Sequence, residues 1–220
     1  MREYQKINTV WERDEKGKII VGKYATPEFE YLKDAAWVFS EKVDGSNTRV
    51  HWDGGASQFG GRTDNAQLHN GLVQHLRDTL TDTNLASVFG KDAATLYGEG
   101  YGASIGKGGG LYYAAGQRFV LFDVRVGDYW LKRDAVEDVA QKLGIPVVPV
   151  ISTCSLATAE TIVRNGLTSR WGAFPAEGLV GKPLVELRDR RGERVIVKMK
   201  TRDYAHLPAA SAPFVDAGHE

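Results

Sequence analysis

Short runs of apolar and β-branched residues, each bounded by Gly, Asp or Asn, recur along most of the chain. Their length and composition predict β-strands over 36–40, 47–52, 57–62, 94–100, 118–125, 146–151, 178–181 and 194–200. Apolar residues at helical spacing predict helices around Leu72, Leu76 and Leu80, over 133–143, and over 155–165. We expect Asn70 to cap the first helix and Gly144 to end the second. Strands spaced this irregularly among helices exclude a βαβ repeat and a sandwich, and they predict an α+β domain with antiparallel sheets and flanking helices.

Composition and charge narrow the class of protein. With 220 residues, 42% of them apolar, the chain can bury a real core. The single cysteine, Cys154, excludes an internal disulfide and favours a reducing compartment. The N-terminus lacks the apolar core of a signal peptide and no apolar run approaches the length of a membrane span, so we expect a soluble, cytoplasmic protein.

The balance of charges bears on nucleic-acid binding. Lys and Arg total 28, as do Asp and Glu, so the net charge is zero. The chain therefore has no excess of basic residues that would indicate a polyanion partner. A site for a polyanion must therefore come from a local arrangement of cations. The basic residues from which we expect such a patch are Arg49, Arg62, Lys107, Lys182, Lys198, Lys200 and Arg202.

Several common catalytic motifs are excluded. The segment "GASIGKGGG" (102–110) resembles a phosphate-binding P-loop, but only three residues separate Gly102 from Gly106, and Gly108 follows Lys107 where that motif needs Ser or Thr. The sequence has no H-E-x-x-H and no G-x-S-x-G. Zinc hydrolysis and nucleophilic serine chemistry are therefore poorly supported.

The segment "EKVDGSN" (41–47) has two interpretations. Asp44 and Gly45 tolerate positive φ, so the pattern is typical of a surface hairpin turn, and Lys42 would then be an ordinary solvated residue. A K-x-D-G tetrapeptide arises by chance in roughly one chain in twenty of this length. Here it is followed, in order, by "FGGRTDN" (59–65), "LYGEGYG" (96–102), "FVLFDVRVGDYWL" (119–131), "AEGLVGKP" (176–183) and "VIVKMKTRDY" (195–204).

This ordered set resembles the motifs of the covalent nucleotidyltransferase superfamily, which comprises polynucleotide ligases and messenger-RNA capping enzymes. The resemblance covers about residues 36–204. The glycine-rich segment after Y-G-E and the compact length are most similar to the RNA ligase branch. The resemblance implies that residues 1–204 form a nucleotidyltransferase domain of the ATP-grasp-like ligase type, the adenylation domain. Residues 205–220 are then a C-terminal extension, with no OB-fold or other second domain, which leaves a place for a protein or domain partner.

The resemblance makes Lys42 the covalent nucleophile. An amine that attacks phosphorus must be unprotonated, and neighbouring cations favour that form. Lys198 and Lys200 are two residues apart on a predicted strand, so they share one face, and Val197 and Met199 take the other. We expect the two lysines to reach the triphosphate, to favour the neutral amine and to neutralise charge as pyrophosphate leaves. Taken alone, a K-x-K pair is equally typical of a solvated edge strand.

The resemblance also assigns roles to six further residues, each of which has an ordinary structural alternative when taken singly. These roles are Glu99 with the ribose hydroxyls, Phe122 stacked on the purine, Glu177 with a divalent Mg²⁺ or Mn²⁺ ion, Arg62 with nucleotide and polynucleotide phosphate, Glu41 near the base, and Asn47 near the phosphates. The alternatives are a core phenylalanine, solvated carboxylates, a surface arginine and an asparagine that closes a turn.

The resemblance thus implies an ATP-dependent RNA ligase of RNA repair. It would join 5′-phosphate and 3′-hydroxyl ends through a lysyl-AMP intermediate and an adenylated 5′ end, acting on RNA as a nicked duplex or as strand ends, or on a DNA-containing duplex. Two alternatives stay open: a DNA nick ligase with the same chemistry, and a non-catalytic module that binds a nucleotide or nucleic acid. The set of Lys42, Glu99, Glu177, Lys198 and Lys200 argues against the second, since such a module has no need of all five.

Overall fold

The computed structural model of the chain describes residues 1–210. The chain divides into two compact units, each built from two separate segments. Unit 1 comprises Met1–Tyr4 and Val43–Val148, and unit 2 comprises Gln5–Lys42 and the chain from Pro149 onward. The prediction of one nucleotidyltransferase domain over 1–204 stays a prediction. Of the predicted extension, residues 211–220 lie outside the described residues.

Secondary structure within the described residues consists of short strands and helices. The strands are β1 (Asn8–Thr9), β2 (Trp11–Arg13), β3 (Ile19–Tyr24), β4 (Trp37–Lys42), β5 (Ser46–Trp52), β6 (Ser57–Gly60), β7 (Ala94–Gly102), β8 (Gln117–Val126), β9 (Tyr129–Trp130), β10 (Val150–Cys154), β11 (Gly178–Pro183) and β12 (Val197–Lys200). The helices are α1 (Pro27–Tyr31), α2 (Asn70–Thr79), α3 (Asp82–Phe89), α4 (Gly109–Tyr112), α5 (Arg133–Leu143), α6 (Leu156–Arg164) and α7 (Thr201–Tyr204). No helix in residues 1–210 has the length and apolar character needed to cross a membrane.

Unit 1 is built on an antiparallel sheet in the order β6-β5-β7-β8-β9. One face of this sheet, which includes Val50 and Leu96, packs in a core with helices α2, α3 and α5. The helices contribute residues at helical spacing, among them Leu72 and Leu76 from α2 and Val136 from α5, because that spacing places apolar side chains on one side of a helix. The opposite face of the sheet carries polar side chains such as Asn47, Arg49 and Glu99.

Unit 2 contains a sheet in the order β1-β12-β11-β4-β10, together with the separate β2-β3 pair. The β1-β12 pair is parallel and the other pairs of the larger sheet are antiparallel. Alternation along β4 buries Trp37 and Phe39 in the core of the unit, where Leu179 and Met199 from the neighbouring strands join them. The same alternation directs every second residue of β4 to the other face.

The predicted α+β fold with antiparallel sheets is confirmed, and most predicted elements have a counterpart. Helix α5 spans the predicted 133–143, and Gly144 ends it in the left-handed conformation with φ 66°. The strand predicted over 146–151 is displaced, because β10 begins only at Val150 and Val147 makes a single bridge to β8. The predicted Asn70 cap is wrong by one residue: His69 has the extended backbone of an N-cap, and its Nδ1 accepts the Gly71 amide at 3.2 Å.

The hairpin interpretation of Asp44 and Gly45 is also wrong. The strands on either side do not pair: β4 pairs with β10 and β11 in unit 2, whereas β5 pairs with β6 and β7 in unit 1. The chain passes from one unit to the other between Lys42 and Val43. The turn therefore links two sheets, and local sequence could not reveal this because the pairing partners of both strands lie far along the chain.

Candidate active site

The predicted nucleophile lies at the end of β4, in the middle of the unit 2 sheet. Lys42 pairs with Gly178 on β11, and Gly178 pairs in turn with Lys200 on β12. Directly opposite residues in antiparallel strands direct their side chains to the same face. The two lysines therefore flank a position that has no side chain, and Glu177 lies next to it in the chain.

Glu177 joins the two lysines. Its Oε2 accepts a hydrogen bond from Lys42 Nζ at 2.6 Å, and its Oε1 accepts one from Lys200 Nζ at 2.9 Å. The three side chains are 16–21% exposed, so these ion pairs are partly shielded from water. Burial by itself raises the pKa of Glu177, but the charges and hydrogen bonds of Lys42 and Lys200 outweigh it and hold the pKa below its usual value. Glu177 is therefore an ionised carboxylate shared by two ammonium groups.

More cations lie on the same face of the unit 2 sheet. The predicted alternation along β12 is confirmed, since Val197 and Met199 are buried whereas Lys198 and Lys200 are only partly buried. Lys182 on β11 pairs with Val38 of β4, whose side chain points to the same face as that of Lys42. We call the face that carries Lys42, Lys182, Lys198 and Lys200 the lysine face. Sequence reasoning placed Lys182 in a basic patch but not beside the nucleophile.

Glu41 lies on the opposite, buried face of β4 and is 1% exposed. Its Oε1 accepts the Ser169 hydroxyl at 2.6 Å and its Oε2 accepts the Arg170 amide at 2.8 Å. Both oxygens thus hold the chain that precedes β11. The predicted position of Glu41 near the base stays a prediction. Its tie to Ser169 was missed, because nothing in the sequence connects residues 128 positions apart.

Two predicted nucleotide-binding residues meet in unit 1. Asn47 on β5 lies directly opposite Glu99 on β7, on the sheet face away from the helix-packed core. The Oδ1 atom of Asn47 is buried and has no hydrogen-bond partner among the described residues. A buried acceptor without a partner is costly, so its place in a native fold points to a donor supplied by a ligand.

Phe122 lies at a bulge in β8. Leu121 pairs with Gly98 and Asp123 with Tyr97, which leaves Phe122 as the extra residue. Its neighbours Leu121 and Asp123 are buried, whereas Phe122 is only partly buried. Tyr4 makes an edge contact with its ring, at 5.1 Å between ring centroids, and donates a hydrogen bond to Asp123. A bulge re-aims a side chain, so this phenylalanine is not an ordinary core residue. Its predicted stacking on a purine stays a prediction.

Arg62 is exposed in the loop that follows β6, and no described hydrogen bond or ion pair holds its side chain. The loop itself is held by Arg49, whose guanidinium donates to the Gly61 carbonyl at 2.6 Å and to Asp64 at 2.9 Å. Arg49 is 0% exposed. Its inclusion in a basic patch is therefore wrong, because its buried guanidinium binds groups of the protein and is not accessible to a polyanion.

Comparison with known protein families decides the family. The model of the RNA ligase family matches residues 35–200, which is most of the chain and includes every residue discussed so far from Lys42 to Lys200. The chain belongs to the RNA ligase family. The resemblance seen in the sequence is thereby confirmed.

Solved structures agree with this family in fold. An RNA ligase of Naegleria gruberi, as a lysine-to-alanine variant with ATP and Mn, has a TM-score of 0.64 and 22% identity over 91% of this chain and 62% of that chain. The same ligase with PPi has a TM-score of 0.64 and 21% identity over the same shares of the two chains. This family member therefore spans about three-fifths of the length of those ligases. Comparison with curated proteins gave no significant match.

In this RNA ligase family member the predicted site residues fall into two groups. Lys42, Glu177, Lys198 and Lys200 meet on one face of the unit 2 sheet, and Asn47, Glu99 and Phe122 lie on one face of the unit 1 sheet. No cluster of three metal-ligating side chains is present within residues 1–210. Glu177 thus offers a single carboxylate, which suits Mg²⁺ because that ion is often held by one or two carboxylates with substrate phosphates and water.

Proposed function

We propose that this RNA ligase family member is an ATP-dependent RNA ligase. It joins a 5′-phosphate end to a 3′-hydroxyl end through an AMP group carried on Lys42. The Naegleria ligases that share its fold are described with ATP, AMP or PPi, and with Mn in the nucleotide complexes, which supports ATP as the nucleotide and a divalent ion as the cofactor. We place the protein in the cytoplasm, where a free thiol such as Cys154 stays reduced.

The observation that carries this proposal is the pair of ion pairs that joins Lys42, Glu177 and Lys200. An amine paired with a carboxylate is held in place but carries a proton that it must lose before it attacks phosphorus. Lys200 offers a second cation on the same carboxylate, and the remaining cations of the lysine face suit a triphosphate. A surface lysine that only solvates a turn needs none of these partners.

The first step forms a bond between Lys42 Nζ and the α-phosphorus of ATP and breaks the bond from that phosphorus to pyrophosphate. In the second step an oxygen of the RNA 5′-phosphate takes AMP from Lys42. In the third step the 3′-hydroxyl attacks the 5′-phosphorus and AMP leaves. Each step is a displacement at phosphorus that needs a positioned nucleophile and neutralised oxygen charge.

The remaining residues keep their proposed roles. The unpartnered Asn47 amide oxygen and the opposite Glu99 suit donors on a nucleotide, such as ribose hydroxyls, and the re-aimed ring of Phe122 suits a purine. Glu177 would hold a divalent ion, whose chemistry is to neutralise phosphate charge in the transition state. Arg62 is exposed, and its guanidinium suits a phosphate of the RNA.

The test of this proposal is a sealing assay on duplexes that carry a single nick. The full chain is incubated with ATP, Mg²⁺ and duplexes whose nick ends in a 3′-ribose or a 3′-deoxyribose, beside the Lys42→Ala variant. We expect the wild type to seal the ribose nick faster and the variant to seal neither. Equal rates on both nicks would favour a DNA nick ligase, and sealing by the variant would contradict covalent catalysis at Lys42.

A further inference from the structure

The glycine-rich segment that fails the P-loop pattern has a defined place in unit 1. Asp44, in the K-x-D-G turn, accepts a hydrogen bond from the Gly108 amide through its Oδ2 at 2.8 Å. A Cβ added to Gly106 would lie 3.1 Å from Asp44 Oδ1, and one added to Gly108 would lie 2.9 Å from Oδ2. The backbone therefore approaches the Asp44 carboxylate closely at both positions, and a side chain at either one would press on that carboxylate.

The segment is also anchored in the core of unit 1 by one of its residues. Ile105 is 5% exposed and belongs to the core of unit 1. Ser104 has a φ of 64°, in the left-handed region that costs a residue with a Cβ about 1 kcal/mol or more. Within residues 1–210 it is the one residue other than glycine with positive φ. Strain of this kind persists only where surrounding contacts fix it, and it is commonest at functional sites. We call residues 104–108 the Lys107 loop.

Lys107 lies in this loop and has no ion-pair partner among the described residues. Gly106 and Gly108 on either side both lie against Asp44, yet Lys107 is exposed and forms no ion pair with a carboxylate of the described residues. The Asp44 carboxylate is instead occupied by the loop backbone. The lysine is thus fixed beside the turn that starts two residues after Lys42 in the chain, and its ammonium group is available to an anion.

We propose that Lys107 binds a phosphate group of the substrate, with Asp44 as the positioning residue that fastens its loop. This inference rests on the proposed function, in which the available anions are the phosphates of ATP and the 5′-phosphate of RNA. The mode differs from a P-loop, because the glycines serve to pack the loop against Asp44 and the charge comes from one side chain. Both sources offer the same chemistry, and the two partial reactions separate them.

The first experiment removes the charge. Lys107→Ala, Lys107→Arg and the control Lys91→Ala are compared with the wild type in two assays. One assay follows transfer of labelled AMP from ATP to the protein, and the other follows ATP-independent sealing of an RNA whose 5′ end is already adenylated. Lys91 is a matched control because it is also exposed, also follows a glycine and also lacks an ion pair within the described chain.

We expect Lys107→Ala to raise the KM by about tenfold or more in at least one assay, as for loss of one hydrogen bond to a charged group. Lys107→Arg should retain most of the affinity and Lys91→Ala should match the wild type. A loss confined to AMP transfer identifies the nucleotide phosphates, and a loss confined to sealing identifies the RNA 5′-phosphate. Wild-type KM values in both assays for Lys107→Ala would overturn the proposal.

The second experiment moves the loop and keeps the charge. A methyl group on Gly108 would press on Asp44 Oδ2, whereas one on Gly110, in α4, would meet its nearest atom only at 4.0 Å. We expect Gly108→Ala to raise the same KM as Lys107→Ala, with Gly110→Ala unchanged. Equal behaviour of the two variants would remove Asp44 as the positioning residue.

The experiments distinguish failure of the proposed ligase function from failure of the Lys107 phosphate site. If the wild type neither takes AMP nor seals RNA, ligation is wrong, and the binding of ATP and of 5′-phosphorylated RNA is then measured directly by calorimetry for the same variants. A tenfold or greater loss of affinity in Lys107→Ala would still support the phosphate site, and unchanged affinity for both would overturn it.

Discussion

Glu177 holds the predicted nucleophile, Lys42, in an ion pair. It holds Lys42 and Lys200 at once, so the reaction has to loosen the first pair before Lys42 can attack. A carboxylate that exchanges a lysine for a divalent ion on nucleotide binding would meet that need, since the ion satisfies the charge that the lysine leaves. Glu177 would then hold the Lys42 amine in place before nucleotide binding and help to release it afterwards.

Replacement of Glu177 by Gln tests this account at the level of one residue. The amide has the shape of the carboxylate but no charge, so it neither pairs with two ammonium groups nor attracts a divalent ion. We expect transfer of AMP to the protein to fall by about a hundredfold. Glu193→Gln is the matched control, because Glu193 is exposed in the same unit. Wild-type transfer by Glu177→Gln would show that the carboxylate is not needed.

The lowered pKa of Glu177 has a consequence for stability. A carboxyl whose pKa is lower in the folded than in the unfolded chain stabilises the fold above its unfolded pKa, here about 4.5, and this stabilisation is lost as the pH falls through the folded pKa. The free energy of unfolding of the wild type should therefore exceed that of Glu177→Gln near neutral pH. The difference should shrink as the pH falls below about 4.5, as measured by urea unfolding. A difference that grew on acidification would contradict the lowered pKa.

Other residues show what sequence reasoning could not reach. The spacing of Lys198 and Lys200 was enough to place both on one face, because strand alternation is a local property. The burial of Arg49 and the hydrogen bonds of Glu41 depend on groups that are close only in the folded chain. A sequence does not reveal whether a charged side chain is paired inside the fold or exposed to solvent. Charged residues beside a motif are therefore weaker predictions than the motif residues themselves.

Three strands, β4, β11 and β12, bring Lys42 and its partners together. Their order in the sheet follows from antiparallel pairing of β11 with both neighbours, which puts Lys42, Gly178 and Lys200 in one row. The motifs were recognisable from the sequence, but the pairing was not, since the chain from Val43 to Val148 lies between β4 and β11. Because Gly178 has no side chain, the backbones of β11 and β12 approach each other closely at this row.

Gly178→Ala tests the role of this row. Gly178 has a φ of 152°, and a Cβ there would overlap the Met199 carbonyl oxygen. We expect the variant to lose about 2 kcal/mol of stability, because the backbone of β11 and β12 has to move apart, and to lose AMP transfer with it. Gly55→Ala is the control, since its Cβ would make only an ordinary contact. Unfolding midpoints and AMP transfer are measured on both variants, and equal values would contradict the close approach.

At the scale of the whole molecule, the two units have different characters. Unit 2 carries the predicted nucleophile and the neighbouring lysines on a sheet whose other face is a packed core. Unit 1 carries the predicted nucleotide contacts on the face of a sheet whose other side is covered by helices. In both units, one face of a sheet packs in a core that stabilises the fold, and the other face can carry polar side chains. Zero net charge is compatible with this division, because Lys42, Lys182, Lys198 and Lys200 lie on one face of a sheet although the charges of the whole chain balance.

The family could be predicted from the sequence because its motifs are short and lie in order along the chain. The α+β class could be predicted because strand and helix patterns are local. The division into two units could not, since each unit is made of segments that are distant in sequence. The turn at Asp44 illustrates the difference. Asp and Gly favour a change of chain direction there, although neither Asp44 nor Gly45 takes the positive φ that the hairpin pattern suggested. Which sheets the turn joins is decided by the strands with which β4 and β5 pair.

The central claim is that Lys42 becomes covalently linked to AMP. The most direct measurement incubates the full chain, freed of any bound nucleotide, with Mg²⁺ and ATP labelled on the α-phosphate, beside Lys42→Ala and a parallel reaction with labelled GTP. We expect acid-labile label on the wild type from ATP, none on the variant, and mass spectrometry to place the adenylate on the peptide that contains Lys42. Label that persists in Lys42→Ala, or a wild type that takes no label from either nucleotide, would contradict the account.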